Sequence, residues 1–168
     1  MFDWLRRLFA NGTSQGTSPD VASQAFVPSV PDPMKSLGFT GDFLAHRRAR
    51  YVGEDKDFAI EKVSCGVVFF MAFWSGPARK GFTELKEVLA KVDPGGCIEL
   101  VVIDLDHCTE MHKVPGLSVA MLSGGYGETA WVKDGHVVST TGRGYHPECF
   151  NENTRSLLEQ CQRTSPCT

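Results

Sequence analysis

The chain has 168 residues, 42% of them hydrophobic, with 17 Lys and Arg against 20 Asp and Glu for a net charge of −3. That length suits one domain with extensions, and the composition is ordinary for a globular protein. The charge balance gives no electrostatic case for a nucleic-acid partner, and no apolar run reaches the length of a membrane span.

Six cysteines stand at 65, 97, 108, 149, 161 and 167, with no Cys-x-x-Cys pair and no zinc-ribbon spacing. They predict no metal centre, and no cofactor motif is present. The apolar residues of the first ten, MFDWLRRLFA, are interrupted by Asp3, Arg6 and Arg7, so no signal peptide is expected there. The expectation is a cytoplasmic protein with reduced thiols.

Within residues 1–10, Phe2, Leu5, Leu8 and Phe9 fall on one helical face. A short amphipathic helix there suits peripheral contact with a membrane surface, docking on its own domain or a partner, or a frayed end, and these readings stay open. Residues 11–35 are rich in Ser, Thr, Gly, Gln and Pro and read as a linker. The globular domain is expected over 36–162, with a tail at 163–168. Phe39, Phe43 and Leu44 suit a short helix, and Tyr51-Val52 a strand. His46-Arg-Arg-Ala-Arg50 is a basic cluster, read as a solvated face rather than a phosphate or acidic-partner site.

Val67 to Trp74 is an unbroken apolar run, as in a strand covered on both faces. Ser75 can cap a following helix, with Pro77 in its first turn where a missing N–H costs nothing. Ala78, Phe82, Leu85, Leu89 and Val92 then recur at helical spacing. Asp93-Pro-Gly-Gly96 stops that helix, and Gly81 inside it weakens it by roughly 1 kcal/mol.

Cys97 to Asp106 is a second central strand. His107-Cys-Thr-Glu-Met-His112 follows its carboxyl end, the edge where open α/β sheets place sites. Cys108 and His112 share a face if the segment is helical, so an activated thiol is one reading. A Cys/His metal site with His146 and Cys149 is another, and incidental polar residues are favoured over both. Ser123-Gly-Gly-Tyr-Gly127 is a glycine-rich loop without a phosphate-binding fingerprint. Asp134-Gly135 is a strong hairpin signal within Glu128 to Gly144. Pro147 to Cys161 is the last helix, with Phe150, Leu157, Leu158 and Cys161 as its inner face.

The segment FWSGPARKGFTELKEVL resembles the active-site segment of thioredoxins, whose pattern is Trp-Cys-Gly-Pro-Cys-Lys. Trp74, Gly76, Pro77 and Arg79 match, while the two redox cysteines fall on Ser75 and Ala78. Glu99 to Asp106, Ala130 to Val138 and Ser156 to Glu159 extend the likeness over about Val63 to Gln160. The resemblance implies an α/β thioredoxin-like fold, a mixed central sheet flanked by helices on both faces, with Asp55 to Glu61 as the helix before the central strand. It also makes the strands after Cys65 and Cys97 parallel neighbours, so that those two sulfurs could approach, with two buried structural thiols as the favoured reading. The family's buried acid falls on Phe69, its buried lysine on Val102 or Leu100, and its cis-proline on Gly127. Thiol exchange needs two thiols, one of them activated. With both missing, the resemblance implies a redox-inactive module that binds a protein or peptide through Trp74, Ser75, Gly76, Pro77, Tyr126 and Gly127. A loop packed over Trp74 is the competing reading of that surface. The alternative function is a thiol-dependent or peroxide-handling enzyme using Cys108 and His112.

Overall fold

The structure is a computed structural model that describes residues 33–117 and 125–164. The expectations for the helix at 1–10, for most of the linker, for residues 123 and 124 of the loop and for the tail from 165 onward lie outside these residues.

The apolar run becomes β2 (Cys65–Met71), buried along its whole length because both its faces are covered. β3 (Glu99–Asp104) lies parallel beside it, and β1 (Ala49–Val52) is parallel to β3 at one edge. On the other side β4 (Thr129–Lys133) runs antiparallel to β2, and β5 (His136–Thr140) completes the order β1-β3-β2-β4-β5. Asp134 at φ 48° and Gly135 at φ 77° build the predicted two-residue turn, with positive φ at both central positions.

One face of this mixed sheet carries Val67, Phe69, Met71, Leu100, Val102 and Trp131. It packs against α3 (Gly76–Val92), α4 (Glu148–Thr164) and the short helices α1 (Pro33–Ser36) and α2 (Gly41–His46). Ala78, Phe82, Leu85 and Leu89 form the inner side of α3, as predicted, while Val92 at its end is only half-buried. Gly81 lies among them because the Tyr145 ring presses on that turn: a Cβ there would stand 3.2 Å from Tyr145 Cε2. Trp131 is fully buried beside Phe150, and its indole N–H donates to Thr154 Oγ1 at 3.0 Å, so neither polar atom is stranded.

The opposite face carries Val68, Phe70, Val101, Ile103, Ala130 and Val132. Here the helix expected over Asp55 to Glu61 is replaced by two 3₁₀ turns, Asp55–Asp57 and Ile60–Lys62, with Phe58 and Ala59 extended between them. The reason is geometric. Phe58 and Ile60 are both buried on this face, and residues two apart on an α-helix point to opposite sides. A third 3₁₀ turn, Met111–Lys113, adds Met111 to the same cluster.

Three further expectations are corrected. The fold begins inside the presumed linker: α1 starts at Pro33, Met34 packs on the core, and Leu37 and Phe39 are buried. The basic cluster is not a solvated face, since Arg47 is buried in an ion pair with Asp93 at 3.0 Å and Arg50 pairs with Glu99 at 3.1 Å. The thiols are not all reduced. Cys65 is bonded to Cys161, not drawn to Cys97, because it opens β2 on the face that α4 covers and Cys161 lies on the inner side of α4. Their Cα atoms stand 6.1 Å apart, within the usual disulfide range. Cys97 is also disulfide-bonded.

Candidate functional site

At its carboxyl end β2 runs into Ala72-Phe-Trp74, and the Ser75 N–H donates to Ala72 O at 3.0 Å to close a tight turn. Ser75 then caps α3: its Oγ accepts from the Ala78 N–H at 3.3 Å, and Pro77 occupies the first turn. Its hydroxyl donates in turn to Gly125 O, which ties the turn to the loop before β4. Ser75 is therefore buried, while Trp74 is 70% exposed.

The Trp74 ring is held at two points. Its indole N–H donates to Asp106 Oδ1 at 2.9 Å. Its benzo edge rests against Gly125, where a Cβ would come within 2.7 Å of the ring. Gly125 (φ 93°) and Gly127 (φ 82°) both sit in the left-handed region that favours glycine. A Cβ on Gly127 would also meet Phe69 Cζ at 2.9 Å and Ala78 Cα at 3.2 Å. Between the two glycines Tyr126 is 47% exposed. Trp74, Ser75, Tyr126 and Gly127 thus converge at one end of the sheet, with Gly76 and Pro77 completing the turn, and the described part of the loop leaves Trp74 open.

Behind the turn the surroundings are apolar. Phe69 is directly paired with Val102 across β2 and β3, which places Val102, not Leu100, beside it. Both are fully buried, and Phe69 packs edge-on against Phe82 at 5.1 Å. A hydroxyl stands at 75 and a methyl at 78, so no disulfide can form across this turn.

Three groups near the surface carry signals that the residue patterns did not single out. Asp104 ends β3 almost fully buried, accepting from the Tyr51 hydroxyl at 2.5 Å, from His107 Nδ1–H at 3.0 Å and from the Asp106 N–H at 2.9 Å. Burial and this carboxylate push the Tyr51 phenol well above its ordinary value. Asp106 orients Trp74. The only hint of either aspartate was the switch from apolar to acidic residues at the strand's end. The third is Glu128, a carboxyl buried just before β4.

The Glu128 carboxyl accepts from the Tyr126 N–H at 3.2 Å, and its other oxygen has no partner among the described residues. Burial pushes its pKa up, opposed by the backbone N–H groups of Glu128, Tyr126, Gly144 and Gly127. A carboxyl raised on folding binds its proton more tightly in the native state, so it draws stability down as pH rises past its unfolded value of about 4.3. Glu128→Gln should match the native protein in acid and become the more stable of the two toward pH 7. Thermal melts across that range check this, and a pH-independent difference would show that the carboxyl charge has no part in it.

Cys108 and His112 are not brought together as a nucleophile and its base. Cys108 is fully buried in a loop, its Sγ facing Val52 O at 3.5 Å. Burial, with Asp55, Asp104 and Asp57 adding to it, pushes the thiol up to about 11. His112 lies on the 3₁₀ turn with Nδ1 against Thr109 O at 2.9 Å. His146 is engaged by Glu148 and Arg143 O, at 3.0 and 2.9 Å. Among the described residues no group of three His, Cys, Asp or Glu is placed to hold a metal ion, and no helix is long and apolar enough to cross a membrane.

The fold, a parallel β1-β3-β2 core continued by an antiparallel hairpin, is similar to that of solved structures. The chain superposes on a thioredoxin from Trypanosoma brucei brucei at a TM-score of 0.53, with 16% identity over 68% of this chain and 94% of that one. The chain has a thioredoxin-like fold. Mitochondrial thioredoxin 3 from Saccharomyces cerevisiae matches at 0.51 and 17% identity, over 68% and 98% of the two chains. A Schistosoma mansoni thioredoxin matches at 0.51 and 18%, over 66% and 98%. No protein-family model and no curated protein sequence matches. Within the thioredoxin-like fold, Ser75 and Ala78 flank the Gly-Pro turn at the start of α3, and Gly127 faces that turn from the neighbouring loop.

Proposed function

We propose that this chain is a thioredoxin-like module without thiol exchange at its turn, binding a peptide or protein segment through Trp74, the Ser75-Gly76-Pro77 turn, Tyr126 and Gly127. The observation that carries the reading is the pair of exposed aromatics, Trp74 at 70% and Tyr126 at 47%, beside a turn whose hydroxyl is committed to capping α3 and to Gly125 O. Large aromatics held rigidly at a surface are the residues that dominate binding energy in interfaces. Phe69 and Val102 behind the turn offer no group to relay a proton, which also favours binding over exchange.

Trp74→Ala should weaken a selected peptide ligand by tenfold or more, about 1.4 kcal/mol, with little effect on folding because the side chain is mostly exposed. Titration of a fluorescent peptide into the two proteins measures this. Equal affinity for both, or reduction of insulin disulfides by the native chain, would sink the proposal. The alternative of a thiol enzyme using Cys108 has less support, because a buried thiol raised to about 11 is protonated at neutral pH. The Cys65–Cys161 disulfide, together with the disulfide-bonded Cys97, favours an oxidising compartment over the cytoplasm.

A further inference from the structure

The groups around Trp74 bear on the kind of segment it takes. We propose that this surface selects segments with a lysine or arginine side chain, the cation resting on the exposed face of Trp74 and countered by Asp106. The inference rests on the binding reading above and adds the chemistry of the partner.

Trp is the aromatic ring that attracts cations best, because its quadrupole places negative charge on its faces. Here the ring is kept in place by the bond from its N–H to Asp106 Oδ1 at 2.9 Å and by its contact with Gly125, so it is presented in one orientation. Asp106 sits at the ring's edge with only one of its oxygens used by Trp74. Behind it stands Asp104, and further along the same sheet edge Asp55 accepts from the Thr109 and Glu110 N–H groups. Among the described residues no Lys, Arg or His lies within ion-pair distance of Asp55, Asp57 or Asp106. Most of the nearby cations already have an acidic partner: His107 is on Asp104, Lys56 on Glu54, Lys113 on Glu110 and Arg50 on Glu99. The Arg79 guanidinium donates to Phe73 O at 3.2 Å and keeps its charge, but it stands alone against Asp55, Asp57 and Asp106. The balance at this edge is negative, which complements a basic segment and repels an acidic one.

Asp106→Asn separates the charge from the geometry, since an amide oxygen still accepts the indole N–H. The probe is a random heptapeptide display library selected on the full native chain, with clones that also bind Trp74→Ala removed. Selected peptides should be enriched in Lys or Arg. Synthetic copies should lose about fivefold in affinity with Asp106→Asn, and a similar factor when their basic residue is replaced by Gln. Binding should also weaken as salt is raised. Selection of neutral or acidic peptides, or Trp74-dependent binding that Asp106→Asn leaves unchanged, would overturn the charge inference alone. Failure to select any Trp74-dependent peptide would overturn the binding reading with it.

Discussion

Breaking the Cys65–Cys161 disulfide by a Cys65→Ala/Cys161→Ala pair is expected to cost about 4 kcal/mol, a large share of the roughly 5–15 kcal/mol that holds a folded domain together. The bond joins residues 96 apart in sequence, so it removes a large loop-closure entropy from the unfolded chain, about 4.7 kcal/mol on the chain-entropy account. Alanine replaces two small buried side chains, so the cavity left adds little. Urea unfolding of the double variant beside the native chain measures the loss as a lower midpoint. Dithiothreitol should act in the same direction, but it also cuts the bond at Cys97. Unchanged midpoints, with peptide mapping under non-reducing conditions finding Cys65 and Cys161 as thiols, would show that the pair is not bonded in solution.

Arg47→Ala is expected to cost about 3–5 kcal/mol. Arg47 Nη1 donates to Asp93 Oδ2 at 3.0 Å and to Ile98 O at 3.1 Å, while Nη2 donates to Leu89 O at 2.9 Å and Asp93 O at 2.5 Å. One guanidinium thus satisfies carbonyls in the last turn of α3 and places its charge at the negative end of that helix. Asp93 is equally committed, its carboxylate accepting from the Cys97 and Ile98 N–H groups at 3.0 and 2.8 Å. With the side chains 4% and 2% exposed, removing the cation leaves a charge and several carbonyls buried without it. Burial lowers the Arg47 pKa and Asp93 opposes that shift, so the ion pair persists. A double-mutant cycle with Asp93→Asn should give a coupling of 1 kcal/mol or more, and additive losses would show that the two residues act separately.

The elements that were legible from residue patterns are those whose signal is local. The unbroken run of β2, the helical spacing of α3, the Ser75 cap and the Asp134-Gly135 turn each depend on residues within a few positions of one another. Arg47 was misread because its partner lies 46 residues away and Asp93 looked like nothing more than a helix stop. Cys65 reads from its strand as a buried thiol with Cys97 as its only neighbour in prospect, whereas its bonded partner comes from a helix whose position over the sheet no local pattern encodes. Phe58 and Ile60 alternate toward the sheet within a segment composed like a helix. The candidate surface was half readable. Trp74 and the glycines were named from the turn, but Asp106 enters it only through a hydrogen bond spanning 32 positions.

The placement of these fastenings bears on how such a chain can change over generations. Cys65 opens β2, and Asp93 closes α3, which runs back along β2, so both lie at the end of the sheet away from Trp74. Seven strand residues separate that end from the turn, a span of roughly 20 Å. At such distances substitutions act almost independently on stability. The exposed side chains at the Trp74 end are therefore not what fastens the far end of the fold, although Ser75 and Gly127 beside them remain committed to it. Variation at Trp74, Asp106 and Tyr126 can be tried and discarded by selection while the scaffold stays intact, so the character of this surface can drift in descendants of the chain without first costing them their shape.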